Sequence, residues 1–101
     1  METRSERNGA SLVFYIRGVL DTQAAPDLEA ELIPALEGVT DLTLDVSEMS
    51  YILSAGICVI MKAGKTIMKQ KGSMKVRGAN DSVKDIFRTT GLTRIFIMTD
   101  F

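Results

Sequence analysis

Apolar and polar positions change their spacing several times along this chain, and each change marks the edge of an element. Ser11-Leu12-Val13-Phe14-Tyr15-Ile16-Arg17 is a β-branched and aromatic run that reads as a strand, and Asn8-Gly9 before it is a hairpin signal between two extended segments. Gly18 and Asp21 then punctuate the way into a helix. Pro26 suits its first turn, and Leu28, Leu32, Ala35 and Leu36 repeat at helical spacing before Gly38, a natural residue just past a helix end. Pro34 interrupts this pattern, so a kink or an early end is expected near Ile33.

Leu42 to Val46 reads as a second strand. Downstream, Ile57, Ile60, Met61, Gly64, Ile67 and Met68 form one apolar stripe at i, i+3, i+4, i+7 spacing, with Lys62, Lys65 and Lys69 on another face. The spacing predicts a helix from about Ser54 to Gln70 with Gly72 as its stop, and the methionines of the stripe are read as core filling. Met74-Lys75-Val76-Arg77 reads as a short strand, Asp81 to Thr89 as a third helix carrying Val83, Ile86 and Phe87 inward, and Arg94 to Met98 as a last strand. Strands alternating with helices imply an α/β (α+β) fold, one sheet with helices packed on it. With 101 residues the chain is one domain, 1–101, large enough for a single core.

Chemistry is concentrated where the second strand gives way to the long helix. Tyr51-Ile52-Leu53-Ser54-Ala55-Gly56-Ile57 puts a hydroxyl at the join, with Ser54 as the N-cap or first residue of the helix. Unpaired N–H groups and the positive end of the helix dipole favour a phosphate there.

This stretch resembles the signature of the STAS domain, the family named for sulphate transporters and anti-sigma-factor antagonists. The pattern is an aromatic residue, an aliphatic one, Asp or Ser, then the phosphorylatable serine, a small residue, glycine and Leu or Ile. Gly18-Val19-Leu20-Asp21 is similar to the family's G-x-L-D turn, Leu42 to Ser47 to its strand ending in D-[LVF]-S, and Asn80 through Gly91-Leu92 to its late helix and G-L turn. Four such matches in order cover nearly the whole chain. The resemblance implies a four- to five-stranded mixed sheet with helices packed mainly on one face, and Ser54 exposed. It also implies a regulatory binding module of a bacterial partner-switching system, which binds a serine-kinase anti-sigma factor or a related regulator and is released by phosphorylation at Ser54. A phosphatase resets it. Asp21, Leu53, Ala55, Gly56 and Ile57 would line the docking surface. One departure stands out, since Leu53 occupies a position that is Asp in the acidic form of the signature. It keeps a second implication open, that of a non-catalytic STAS subunit in a lipid-transport ABC complex or a signalling assembly.

Composition narrows the alternatives. There is no histidine to activate Ser54, and Lys62 and Lys65 lie two or more helical turns from it, so nucleophilic catalysis lacks its base. Asp21 and Asp45 each close or follow a strand. They would make an acid–base couple if they met at one end of the sheet, although a turn or cap role for Asp21 and a hydrogen-bonded strand role for Asp45 fit better. No glycine-rich phosphate loop is present, and no metal or cofactor is expected. The one cysteine, Cys58, is read as a small apolar residue packed beside Val59. Net charge is −1, yet residues 1–48 hold ten acids and three bases while residues 49–80 hold six bases and no acid. With no aromatic residue interleaved, that basic segment reads as a solvated helix face and not as a nucleic-acid site. From a polar start unlike a signal peptide and the lack of a long apolar run, a cytoplasmic location with no direct membrane insertion is expected.

Overall fold

The computed structural model describes residues 1–90 together with the backbone of Ile97–Met98. In chain order the elements are β1 (Glu2–Asn8), β2 (Ser11–Leu20), α1 (Ala24–Ala35), β3 (Asp41–Ile52), α2 (Ser54–Lys69), β4 (Ser73–Arg77), α3 (Asp81–Thr89) and β5 (Ile97–Met98). They build a five-stranded sheet in the order β1-β2-β3-β4-β5, with β1 antiparallel to β2 and every later pair parallel. The sheet is mixed, as expected. The Gly91-Leu92 turn and the start of the expected Arg94–Met98 strand lie outside the described residues.

Topology fixes where the helices go. From β2 onward each crossover steps to the next strand in the same direction, and right-handed crossovers then put every helix on one face. Burial agrees with that rule. Leu12, Phe14 and Ile16 of β2, Leu42, Leu44 and Val46 of β3, and Met74 and Val76 of β4 are buried against Leu28, Leu32, Ile60, Ile67, Val83 and Phe87 of the helices. Their alternate neighbours, among them Tyr15, Asp45, Lys75 and Arg77, face away from the helices as an open polar face.

The element ends show where tertiary contacts override local signals. β3 runs to Ile52, well past the expected end at Val46, because its pairing with β2 slips twice, between Tyr15 and Arg17 and again between Gly18 and Val19. Burial in β3 therefore changes from every second residue to every third: Val46, Met49 and Ile52 are buried and the intervening residues are exposed. α1 passes Pro34 by one residue and ends at Ala35, so the proline sits in the final turn. That turn has no basic residue of its own, and Arg7 of β1 supplies one by donating to the carbonyls of Ala35 and Glu37. At the end of α2 the left-handed residue is Lys71, φ 60°, and not the expected Gly72. Lys71 N–H bonds Met68 O and Gly72 N–H bonds Ile67 O, closing the helix. Gly72 is needed for a different reason, since a β-carbon there would lie 2.6 Å from Thr40 Cα.

Candidate functional site

Ser54 is exposed and is the first residue of α2, directly after the end of β3. Leu53 is the N-cap, in extended conformation with φ −106° and ψ 169°, and its side chain offers the helix no hydrogen bond. Two backbone hydrogen bonds close the junction: Leu53 N–H donates to Leu20 O at 2.9 Å, and Ile57 N–H donates to Leu53 O at 3.1 Å. No acidic residue lies in the first turn of α2. The site therefore presents an exposed hydroxyl beside unpaired helix N–H groups, at the positive end of a sixteen-residue helix.

The bond between Leu53 and Leu20 also brings the turn after β2 to the same rim. There Asp21 works as a cap, its Oδ1 accepting from Ala24 N–H at 2.8 Å and its carbonyl from Ala25 N–H at 3.0 Å. Around this rim the structure exposes large apolar side chains. Leu53 is 39% exposed, Tyr51 43% and Val19 42%, and Val19 pairs directly with Tyr51 across β2 and β3. Val19 escaped the sequence reading, which saw only one residue of a turn motif. Its signal was a β-branched residue immediately after Gly18, whose φ of 94° accompanies the slip in pairing.

Of the residues expected to line a docking surface, Asp21, Leu53 and Ala55 are at least partly exposed, whereas Gly56 and Ile57 are buried. Those two face the core because α2 turns its apolar stripe inward from its first turn. A β-carbon on Gly56 would lie 2.7 Å from Leu20 Cδ2, so the helix start rests directly on the end of β2. The same rotation corrects two further expectations. Cys58 is exposed, not packed beside Val59, and Met68 is 61% exposed, not core filling.

Asp21 and Asp45 do not meet. Asp45 pairs with Tyr15 in the middle of the sheet, while Asp21 lies beyond the Leu20–Ile52 pair at its end. Asp45 accepts hydrogen bonds from the Ser47 hydroxyl, the Ser47 N–H and Arg77 Nε, the last at 2.9 Å. Partial burial pushes its carboxyl up, but the Ser47 and Arg77 bonds together outweigh this and hold it below the ordinary carboxylate value. The basic segment is likewise divided. Lys62 pairs with Glu29 on the helix layer, whereas Lys75 and Arg77 lie on the open face of the sheet.

Asn80 is a structural residue that the sequence reading used only as part of a motif. Its side-chain oxygen caps α3 by accepting from Val83 N–H at 2.9 Å, and its amide donates to Met49 O and Ser50 O. Those carbonyls belong to the part of β3 that leads to Ser54. No helix among the described residues is long and apolar enough to cross a membrane.

Known proteins are similar to this chain in sequence and in architecture. The STAS domain model matches residues 3–100. The anti-sigma-B factor antagonist of Bacillus subtilis (strain 168) is 31% identical over 90 residues, spanning 89% of this chain and 83% of its own. Among solved structures, a putative anti-sigma factor antagonist from Thermotoga maritima superposes with a TM-score of 0.89 at 19% identity, covering 98% of this chain and 86% of that one. The Bacillus cell fate determinant SpoIIAA in its phosphorylated form superposes with a TM-score of 0.77 at 17% identity, covering 97% and 91%. With the model match running almost end to end over the fold just described, this chain belongs to the STAS domain family.

Proposed function

We propose that this protein is an anti-sigma-factor antagonist: a non-catalytic binding module that captures a serine-kinase anti-sigma factor and is released when Ser54 is phosphorylated. The observation that carries this reading is the exposed Ser54 hydroxyl at the start of α2, flanked by the apolar rim of Val19, Tyr51 and Leu53. An apolar rim supplies affinity through burial, and a hydroxyl inside it supplies a switch. Phosphate adds about −1.5 to −2 charge at neutral pH. At a helix N-terminus that charge is tolerated by the domain itself, so the partner is expelled with little refolding here. The relative from Bacillus subtilis bears the name antagonist, and the SpoIIAA neighbour was solved in a phosphorylated form. Both support the reading. A phosphatase acting on exposed phospho-Ser54 would reset the cycle.

The test is a binding series with the purified cognate anti-sigma factor. The S54A variant is expected to bind and to resist phosphorylation, and S54D to lose at least tenfold in affinity. Phosphate mapped to Ser47, Ser50 or Thr66 with Ser54 bare, or an S54D variant that binds as the parent does, would overturn the proposal. Leu53 in place of an acidic residue favours a second reading, a STAS subunit held constitutively in a lipid-transport or signalling assembly. Stable co-purification with permease or ATPase subunits, unchanged in S54D, would select it.

A further inference from the structure

β1 forms one edge of the sheet, and of the usual guards against pairing its outer side carries only charged side chains. It has no proline and no bulge, and it runs in unbroken register with β2 from Glu2↔Arg17 to Asn8↔Ser11. The turn that closes the hairpin has two residues, Gly9 and Ala10, with Gly9 at φ 64°. Such a turn makes Asn8 and Ser11 a hydrogen-bonded pair, so Glu2, Arg4, Glu6 and Asn8 direct their backbone groups to β2. The N–H and C=O groups of Thr3, Ser5 and Arg7 therefore point outward from the edge. The side chains of Thr3 and Arg7 are drawn away over α1, Thr3 to Glu31 and Arg7 to the carbonyls at the helix end.

The sequence of this edge, Glu2-Thr3-Arg4-Ser5-Glu6-Arg7-Asn8, is self-complementary in one antiparallel register. Centred on Ser5, the strand meets a second copy so that Ser5 faces Ser5, Arg4 faces Glu6 and Thr3 faces Arg7. The outward backbone groups of Thr3, Ser5 and Arg7 then find partners, and the Arg4–Glu6 contact occurs twice by symmetry, in the closely spaced non-bonded position. On the helix side, Arg7 of the second copy comes beside Glu31. Other registers fail. Centring on Arg4 or Glu6 puts like charges opposite each other, centring on Arg7 opposes two guanidinium groups, and centring on Thr3 pairs only Glu2–Arg4 of the strand with the second copy. The charges on this edge thus select a register where edge charges usually forbid pairing.

We infer that β1 is a self-association edge, through which two copies of this chain join antiparallel about Ser5 into one continuous sheet. The two-fold axis sends the two Ser54 rims to opposite ends of that sheet, so pairing leaves both open, and the inference stands apart from the proposed function. Sedimentation velocity over a range of concentrations tests it. The parent is expected to move towards a mass twice its 11.1 kDa as concentration rises. R4E and E6R, each of which puts like charges across the axis, are each expected to weaken the dimer about tenfold or more. An equimolar mixture of R4E and E6R restores opposite charges at both contacts and is expected to dimerise again, which a merely unfolded variant would not do. S5P removes an outward N–H while leaving the bonds to β2 intact, and is expected to be monomeric. A parent that stays monomeric throughout, an S5P variant that dimerises like the parent, or a mixture that fails to recover would each overturn the inference.

Discussion

Gly56 of α2 packs against Leu20 at the end of β2 so closely that a β-carbon on Gly56 would lie 2.7 Å from Leu20 Cδ2 and 3.1 Å from Ile52 Cγ1. Both partners are almost fully buried and have nowhere to retreat. A Gly56→Ala substitution gains helix propensity, worth up to about 1 kcal/mol, and meets overpacking, worth about 1 to 3 kcal/mol. The expected net result is a loss of about 1 to 2 kcal/mol, measured by urea denaturation, because the close contact outweighs the propensity.

Leu53 is the N-cap of α2 without being a capping residue. Leu53→Asp supplies the missing acceptor and a negative charge at the positive helix end, so stability is expected to rise by about 0.5 to 1 kcal/mol. Affinity for the anti-sigma factor moves the other way, since the apolar surface at the centre of the rim is lost. Thermal unfolding and calorimetric binding on the same variant separate the two effects. A fall in melting temperature with unchanged affinity would place Leu53 in the core and not in the docking surface.

Asn80→Ala removes the cap of α3 and the bonds to the carbonyls of Met49 and Ser50 together. Loss of about 1 to 2 kcal/mol is expected from the cap and the unpaired carbonyls. Backbone chemical shifts should move at Ser50 to Leu53 as well as in α3, which a simple capping defect would leave unchanged.

Acid sensitivity is expected from Asp45. Its carboxyl titrates below the ordinary value of 3.8 in the folded protein, so the unfolded chain binds the proton more readily. The stabilisation it brings is complete above the unfolded value and is lost as pH falls through the folded one. Asp45→Asn should therefore lower stability at neutral pH and flatten the decline below about pH 4, read from denaturation curves between pH 2 and 7.

The two long elements of the fold differ in how openly the sequence declares them. α2 was legible because its stripe keeps one period over its whole length. β3 was cut short because its slips against β2 change the burial period in mid-strand, and no local pattern announces a bulge. Ser54 was legible from its motif and from the strand-to-helix join. Gly56 and Ile57 were assigned to the rim even though Ile57 already belonged to the inward stripe, and one side chain cannot serve both faces. Arg7 at the end of α1 and Asn80 beneath β3 act through partners about thirty residues away, so their roles rest on the sheet order and not on local sequence.

β4 pairs with β3 only from Asp41 to Asp45, and beyond that point β3 projects as a cantilever with Ser54 just past its tip. One flank of the arm is bonded to β2, and on the other the Asn80 amide reaches Met49 and Ser50. Amide hydrogens along the flank that lacks β4 should exchange with solvent sooner than those between Leu42 and Asp45, which are enclosed by strands on both sides. Ser54 thus stands at the end of the sheet with the fewest flanking strands, where small angular adjustments to a docking partner would disturb the fewest strand pairings.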